Sequence, residues 1–375
     1  MKILVEALGI ENPGGGRTAT INLLEHIFEI DQVNSYIVIL SKFEPNLKRF
    51  DNVSQIVVPL RNRFLARLWA QLVIPIRFRH VDLIHFTKNL SAFGVKCPTI
   101  ITIHDLTVLV HPEFCPWTDV LYWKTIQKWS IGAAKLIITV SNNTAIDVEK
   151  FYNKDPNSIK VIYHGKSDIF VPASDREIIR VREKYNLTEN YIVTVGRIDI
   201  KKNLTGLVKA FSALQTRIHP NFELVFVGEV YKKSEDKDLL PTIKRLHLRD
   251  KVRFIGRVPD EDLPPLYSGA QVCAFPSLHE GFGLVGLEAM ACGVPVITHN
   301  SSAIVEVVGD AGLQVDASDV SALAQALESI ISNPDLRRAM IKGGIERADI
   351  FNWYDTARRT LEAYSQVCEK WTSIK

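Results

Sequence analysis

Two glutamates eight residues apart, Glu280 and Glu288, bracket PSLHEGFGLVGLEAMACGVPVI at residues 276–297. The short apolar run 272–275 before it reads as a buried strand, and Pro276 ends that strand. A glycine-bearing loop follows. A small-residue helix is expected over about 283–291, with Gly293 as its C-terminal cap, and a further strand over 294–298. At a rise of about 1.5 Å per residue, the two carboxylates stand up to roughly 12 Å apart. An acid/base pair working on one glycosidic bond needs roughly 5 to 9.5 Å, so these glutamates suit the two ends of one long ligand. Between them, the backbone N–H groups of Gly281, Phe282, Gly283 and Leu284 at a helix N-terminus make an anion site. The ligand this pattern describes has a sugar at Glu280, phosphates at the helix start and a ribose at Glu288.

Cations that suit the same phosphates stand elsewhere. Residues 191–196 read as a strand that delivers Arg197, Lys201 and Lys202 ahead of a helix over about 204–214. Cations at a strand's carboxyl end and before a helix N-terminus suit a diphosphate; a solvated loop is the alternative. Near the N-terminus a strand over 2–8 runs into Gly9 and then Gly14, Gly15 and Gly16, followed by a helical pattern over about 17–30. Glycines there allow a ligand to approach the backbone, or simply make a flexible loop. The spacing is neither G-x-G-x-x-G nor a P-loop, so a dinucleotide or ATP site is not supported. A buried strand over 99–103 delivers His104 and Asp105 at its carboxyl end. A histidine opening into a loop is a better site candidate than His85 or His111, which read as ordinary; Asp105 reads as structural.

These residues need strand ends to hold them. Strand and helix alternate through all 375 residues, with one break at about 166–175 that reads as an interdomain linker. The expectation is two doubly wound α/β domains, residues 1–170 and 171–351. A long amphipathic helix at 352–375 closes the chain. Ligands bind at the carboxyl ends of the strands in such sheets.

The 276–297 stretch resembles the signature of glycosyltransferase family 4, which comprises retaining, nucleotide-sugar-dependent enzymes of the GT-B fold. The resemblance extends over essentially the whole chain and is more specific in its second half. One departure is Val285-Gly286, where the family has Pro-Val; it implies a slightly looser helix start. The resemblance implies two Rossmann-like domains facing a cleft, acceptor-binding first and nucleotide-sugar-binding second, with the C-terminal helix crossing back to the first. It implies sugar hydroxyls at Glu280, ribose at Glu288, phosphates at Phe282, Gly283 and Leu284, and the base at the Val258 backbone. Arg197 and Lys202, rather than Lys201, would meet the diphosphate, His104 would lie beside the donor sugar, and Gly15 and Gly16 would touch donor phosphates or acceptor. No enzymic nucleophile is assigned. A same-face reaction is implied, with no metal and no cofactor beyond the co-substrate.

The run from His104-Asp105 to Pro112-Glu113 looks like the bacterial mannosyltransferase branch. That implies GDP-mannose as donor and a saccharide or lipid-linked oligosaccharide as acceptor in polysaccharide biosynthesis. UDP-glucose or UDP-N-acetylglucosamine is the rival donor. A GT-B nucleotide-sugar 2-epimerase and a non-catalytic family member are the alternatives in kind.

Composition narrows the classes further. With 46% hydrophobic and 23% charged residues the chain is an ordinary globular protein. A net charge of +3 is too small to imply nucleic acid, although residues 1–165 carry 18 Lys+Arg against 14 Asp+Glu. The five scattered cysteines read as free thiols in a reducing compartment. With no signal peptide and no bilayer-spanning run, a cytoplasmic protein is expected. Residues 52–81 have no acid but carry Arg61, Arg63, Arg67, Arg77 and Arg79 among aromatic and aliphatic side chains. The 61–80 segment therefore reads either as a peripheral membrane contact or as a core-facing helix with a basic edge. Two D-x-D triplets, at 236–238 and 260–262, read as a solvated loop and a helix N-terminus rather than metal sites.

Overall fold

The computed structural model describes residues 1–10, 14–60, 62–89, 91–92, 94–217, 222–230 and 235–374. The chain forms two compact units, residues 1–165 with 352–375, and residues 166–351. The boundary falls at Gly165/Lys166, at the start of the expected linker.

Unit 1 is a seven-stranded parallel sheet: β1 (Lys2–Glu6), β2 (Ser35–Leu40), β3 (Val53–Val57), β4 (Leu83–Phe86), β5 (Thr99–Ile103), β6 (Leu136–Thr139) and β7 (Ile159–Val161), in the order β3-β2-β1-β4-β5-β6-β7. Its central strands are continuous apolar runs because both faces are covered; all residues of β4, β5 and β6 are buried. The strand order reverses between β1 and β4, where an open parallel sheet leaves a ligand crevice.

The helix Arg63–Arg77 and the helical segment 117–133 pack on one face of this sheet. There Ala66, Ala70, Ile74, Trp123 and Ile131 join Leu4, Ile84, Ile101 and Ile137 in one apolar cluster. The helix Trp353–Ile374 belongs to unit 1 and packs along Gly15–Ile30. Gly165 is required where that helix begins, because a Cβ would lie 2.2 Å from the backbone nitrogen of Trp353. The C-terminal helix is pinned to the sheet by His85. Nδ1 of this fully buried ring lies 2.6 Å from the Tyr364 hydroxyl, and Nε2 lies 2.8 Å from Thr102 Oγ1. Burial pulls the His85 pKa down to about 3, so the bridge is neutral.

Unit 2 repeats the plan with six parallel strands: β8 (Tyr191–Val195), β9 (Glu223–Val227), β10 (Val252–Gly256), β11 (Val272–Phe275), β12 (Val296–His299) and β13 (Leu313–Val315), in the order β10-β9-β8-β11-β12-β13. The reversal lies between β8 and β11, so the loops after these two strands, 196–203 and 276–283, share the switch point.

The D-x-D acids take structural roles. Asp236 lies in the exposed loop expected for it and also accepts from Thr205 N and Oγ1 at the start of the helix Leu204–Gln215. Asp262 is fully buried and makes no cap bond to the helix that follows. Lys184 Nζ and the Tyr185 hydroxyl each reach its Oδ2 at 2.6 Å, and Arg180 pairs with Oδ1 at 2.9 Å. The three acids, Asp260, Glu261 and Asp262, do stand at the N-terminus of the helix Leu263–Ser268, as expected, and Asp262 in addition joins two helices as the centre of an ion cluster.

Candidate active site

The candidate residues of unit 2 stand at the β8/β11 switch point. Gly196 leaves β8 at φ 131°. Arg197 follows, its side chain half exposed and 3.8 Å from the buried Asp199. A single turn, Ile200–Lys202, then aims Lys202 inward, over the Phe275 ring that ends β11. Its Nζ meets Glu280 Oε1 at 2.7 Å, with both side chains almost covered. Desolvation would raise the Glu280 carboxyl, but the charges of Lys201 and Lys202 outweigh it and hold the pKa down at about 2. Glu280 is therefore a fixed carboxylate.

The chain around Glu280 is held from three sides. Glu280 N donates to Ser302 Oγ, Leu278 N donates to Lys201 O, and Ala303 N donates to Glu280 O. Lys201 thus acts on the Glu280 carboxylate by charge and on its loop through the backbone bond from Leu278.

The helix over this loop is Leu284–Ala291, eight residues, with Gly283 as N-cap at φ 101°. A side chain there would be strained, and its Cβ would meet Ile304 Cδ1 at 2.2 Å. A Cβ on Gly286 would come within 3.0 Å of the same methyl. The departure at Val285-Gly286 therefore packs the helix tightly against Ile304 and does not loosen its start. Phe282 is buried, its ring edge-on to Phe351, so it offers a ligand its backbone. At the far end of the helix, Glu288 receives the Tyr267 hydroxyl at 3.3 Å. Burial pushes its pKa up to about 8, Tyr267 works against this, and the nearby Asp260 charge adds to it. Asp260 lies two residues beyond Val258, itself buried in the loop after β10. Glu280, Lys202, Phe282, Gly283, Leu284 and Glu288 thus line one loop and helix in unit 2, with Arg197 beside Lys202.

Unit 1 has its own candidate residues, Gly15, Gly16 and His104. Gly15 and Gly16 open the helix Gly15–Ile30, while residues 11–13 of the preceding loop lie outside the described residues. Lys88, at the end of β4, crosses this opening. Its Nζ reaches Gly9 O at 2.7 Å, and a Cβ on Gly16 would lie 3.2 Å from its Cε. Glu6 ends β1 fully buried, accepting from Leu8 N; burial raises its pKa to about 7, against the Leu8 N–H and the Lys88 charge.

His104 follows β5 with both ring nitrogens committed. Thr87 O can only accept, so His104 Nε2–H donates to it at 2.8 Å. His104 Nδ1 is then an acceptor for His164 Nε2–H at 3.2 Å. Burial pulls both imidazoles below their ordinary values, so the pair is neutral. The His104 backbone N–H donates to Asn89 Oδ1 at 2.8 Å, with Asn89 itself at φ 54°. A ring so committed positions a neighbour by shape and does not take a proton. His164, Lys88, Asn89 and Glu6 were missed in the sequence. Only the strand-end placement of Lys88 and of His164 gave any signal for them.

A family model described as Glycosyl transferases group 1 matches residues 175–347, and one described as Glycosyltransferase Family 4 matches residues 13–166. The O-antigen chain mannosyltransferase B of Escherichia coli is 34% identical over 266 residues, 71% of this chain and 69% of that protein. The chain belongs to the group 1 glycosyltransferases. The serotype-specific mannosyltransferase WbdA of E. coli is 24% identical over 96% of this chain, which spans only 46% of WbdA. Among solved structures, sucrose-phosphate synthase of Thermosynechococcus elongatus superposes with a TM-score of 0.79 at 22% identity, covering 97% of this chain and 98% of that one. Anabaena HepE in complex with UDP and glucose gives 0.78 at 22% identity, covering 98% and 100%. The two parallel-sheet units are those of the GT-B fold. Among the described residues no helix is long and apolar enough to cross a membrane.

Proposed function

We propose that the chain moves a hexose, mannose from GDP-mannose, onto a saccharide or lipid-linked acceptor in polysaccharide biosynthesis, with retention of anomeric configuration. The observation that carries the reading is the charged Lys202–Glu280 pair beside the Gly283 helix start. A departing nucleoside diphosphate gains charge as its bond to the sugar breaks. Arg197, Lys202 and the N–H groups at 283–284 are preorganised donors for that charge. Glu280, ionised and fixed, orients sugar hydroxyls, Glu288 accepts ribose hydroxyls, and the Val258 backbone borders the base. Phe282 closes the phosphate end with its backbone. His104 shapes the sugar's surroundings. Gly15 and Gly16 leave room for the donor phosphates or the acceptor. The leaving phosphate takes the acceptor's proton on the same face, and no metal takes part, so transfer should persist in chelator.

Mannose is supported by the mannosyltransferases among the relatives. A UDP-hexose donor is the second reading, favoured by the HepE complex with UDP and glucose. The protein would act in the cytoplasm, at the inner membrane face where lipid-linked acceptors reside, with the 61–80 segment in contact.

The test is thermal stabilisation by GDP, UDP and ADP, on the wild type and on Glu288→Ala. A ligand at about 100 times its dissociation constant adds about 2.7 kcal/mol. A GDP shift lost in the variant upholds site and donor. A shift with UDP alone replaces the donor, and no shift with any nucleotide removes the transferase reading. Product analysis without acceptor separates a transferase from a 2-epimerase, which converts the donor alone.

A further inference from the structure

Ser302 stands in the turn between β12 and the helix Ile304–Val308, at φ 65°. This left-handed conformation is strained for a residue with a Cβ, and glycine adopts it freely. Beyond its Cβ, serine has only a hydroxyl. A strained residue persists where its surroundings make use of it, and here the hydroxyl is the part that can be used.

Half of that hydroxyl's capacity is spent inside unit 2. Oγ accepts from the Glu280 N–H at 3.1 Å. The next residue, Ala303, donates its N–H to Glu280 O at 3.3 Å. The turn therefore holds Glu280 by both its N–H and its carbonyl. One residue further, Ile304 Cδ1 fills the space that a Cβ on Gly283 would need. A single segment, 302–304, thus seats both the residue proposed for the sugar and the helix start proposed for the phosphates.

The other half is unspent. A hydroxyl has one proton to give as well as lone pairs to receive. The bond from Glu280 N–H is the only one that Ser302 Oγ makes among the described residues, so its proton has no protein acceptor there. The side chain is half-buried, open to a ligand. Accepting from a peptide N–H polarises the O–H and strengthens it as a donor.

The neighbours select what it meets. Glu280 is an ionised carboxylate and can only accept, and Lys202 is committed to it at 2.7 Å. A sugar hydroxyl set against Glu280 gives up its proton and keeps lone pairs that need a donor. A neutral O–H meets that need without disturbing the balance of Lys202 against Glu280. We infer that Ser302 is a sugar-binding residue whose O–H donates to a hydroxyl oxygen of the hexose held at Glu280. This rests on the glycosyl-transfer reading and supplies the donor that the carboxylate lacks.

The test is calorimetric binding to the full chain, with no acceptor present. The probes are GDP-mannose against GDP, and UDP-glucose against UDP. Ser302→Gly keeps the backbone conformation and removes the hydroxyl. It should weaken the nucleotide sugar about fivefold, the worth of one neutral hydrogen bond, and leave the nucleoside diphosphate unchanged. Ser302→Ala loses the hydroxyl but keeps the strain, so the two variants should bind alike while Ser302→Ala melts lower. Monodeoxy nucleotide sugars separate contact from mere support of Glu280. One deoxy position should cost the wild type the same factor and cost Ser302→Gly nothing, because its partner is already gone.

Nucleotide-sugar affinity unchanged in Ser302→Gly overturns the inference. So does an equal loss for the nucleoside diphosphate, since the hydroxyl would then meet phosphate. Deoxy losses that remain in full in Ser302→Gly at every position also overturn it, because Ser302 would then act only through Glu280. A wild type that binds no nucleotide sugar removes the transfer reading itself, and this inference with it.

Discussion

The candidate residues of the two units use different physics. In unit 2 the site is charged and rigid: Lys202 and Glu280 are paired 2.7 Å apart, and Lys201 adds to the field. In unit 1 the imidazoles are neutral: His104 and His164 hold each other uncharged, while Glu6, raised to about 7 by burial, has Lys88 as its nearby cation. A site that must receive a diphosphate needs fixed charge, whereas one that receives sugar hydroxyls needs shape and dipoles. The proposed division, donor on unit 2 and acceptor on unit 1, predicts this contrast, and it can be broken from either side.

The largest effect is expected at Lys202. Lys202→Ala removes a preorganised cation and leaves the Glu280 carboxylate buried without its nearest partner. Sugar transfer, followed as kcat/KM with labelled donor, should fall by about 10²- to 10³-fold. The double variant Lys202→Ala with Glu280→Gln should regain melting temperature but not activity. If Lys202→Ala transfers sugar within threefold of wild type, the pair is a structural salt bridge and the charged half of the comparison fails.

That half was also the legible one. Glu280, Gly283 and Glu288 lie in one stretch, and Arg197 and Lys202 in another, so strand, loop and helix follow from local pattern. The unit 1 site is assembled across the chain. His164 is 60 residues from His104, and Gln127 is 38 from Asn89. No spacing rule links such residues before the sheet order β1-β4-β5 is known. The π turn at Trp123–Gln127 was equally hidden, because one extra residue in a helical run barely disturbs its apolar period. At Val285-Gly286 local reasoning misled: a glycine that weakens an isolated helix serves close packing against Ile304, which only the tertiary structure shows.

The His104–His164 pair sharpens the comparison at middle size. If unit 1 works by shape, His164→Ala frees the His104 ring from its tautomer and orientation without touching the donor. The expected outcome is about a tenfold loss in kcat, with the thermal shift from nucleoside diphosphate unchanged. His104→Ala combined with His164→Ala should then cost little more than His104→Ala alone, because the two rings act as a unit. Additive losses would show two independent roles.

The smallest effect concerns protonation of Glu288. Burial raises its carboxyl from the ordinary 4.5 to about 8, so in the free protein it is mostly protonated at pH 7. Ribose hydroxyls donate, and an ionised carboxylate receives them best. Nucleotide binding should therefore require loss of a proton. The ionised fraction rises from about one tenth at pH 7 to one half at pH 8, so the dissociation constant should fall about fivefold across that unit. Stability runs the other way. A carboxyl with a raised folded-state pKa costs the fold stability as pH climbs from about 4.5 to about 8, because the unfolded chain ionises first. Ligand-free wild type should lose melting temperature across that window more than Glu288→Gln does, and the variant's nucleotide affinity should be flat between pH 7 and 8. A wild-type affinity that is equally flat would mean that ribose does not meet Glu288, and the sugar-to-ribose span inferred from the two glutamates would have to be redrawn.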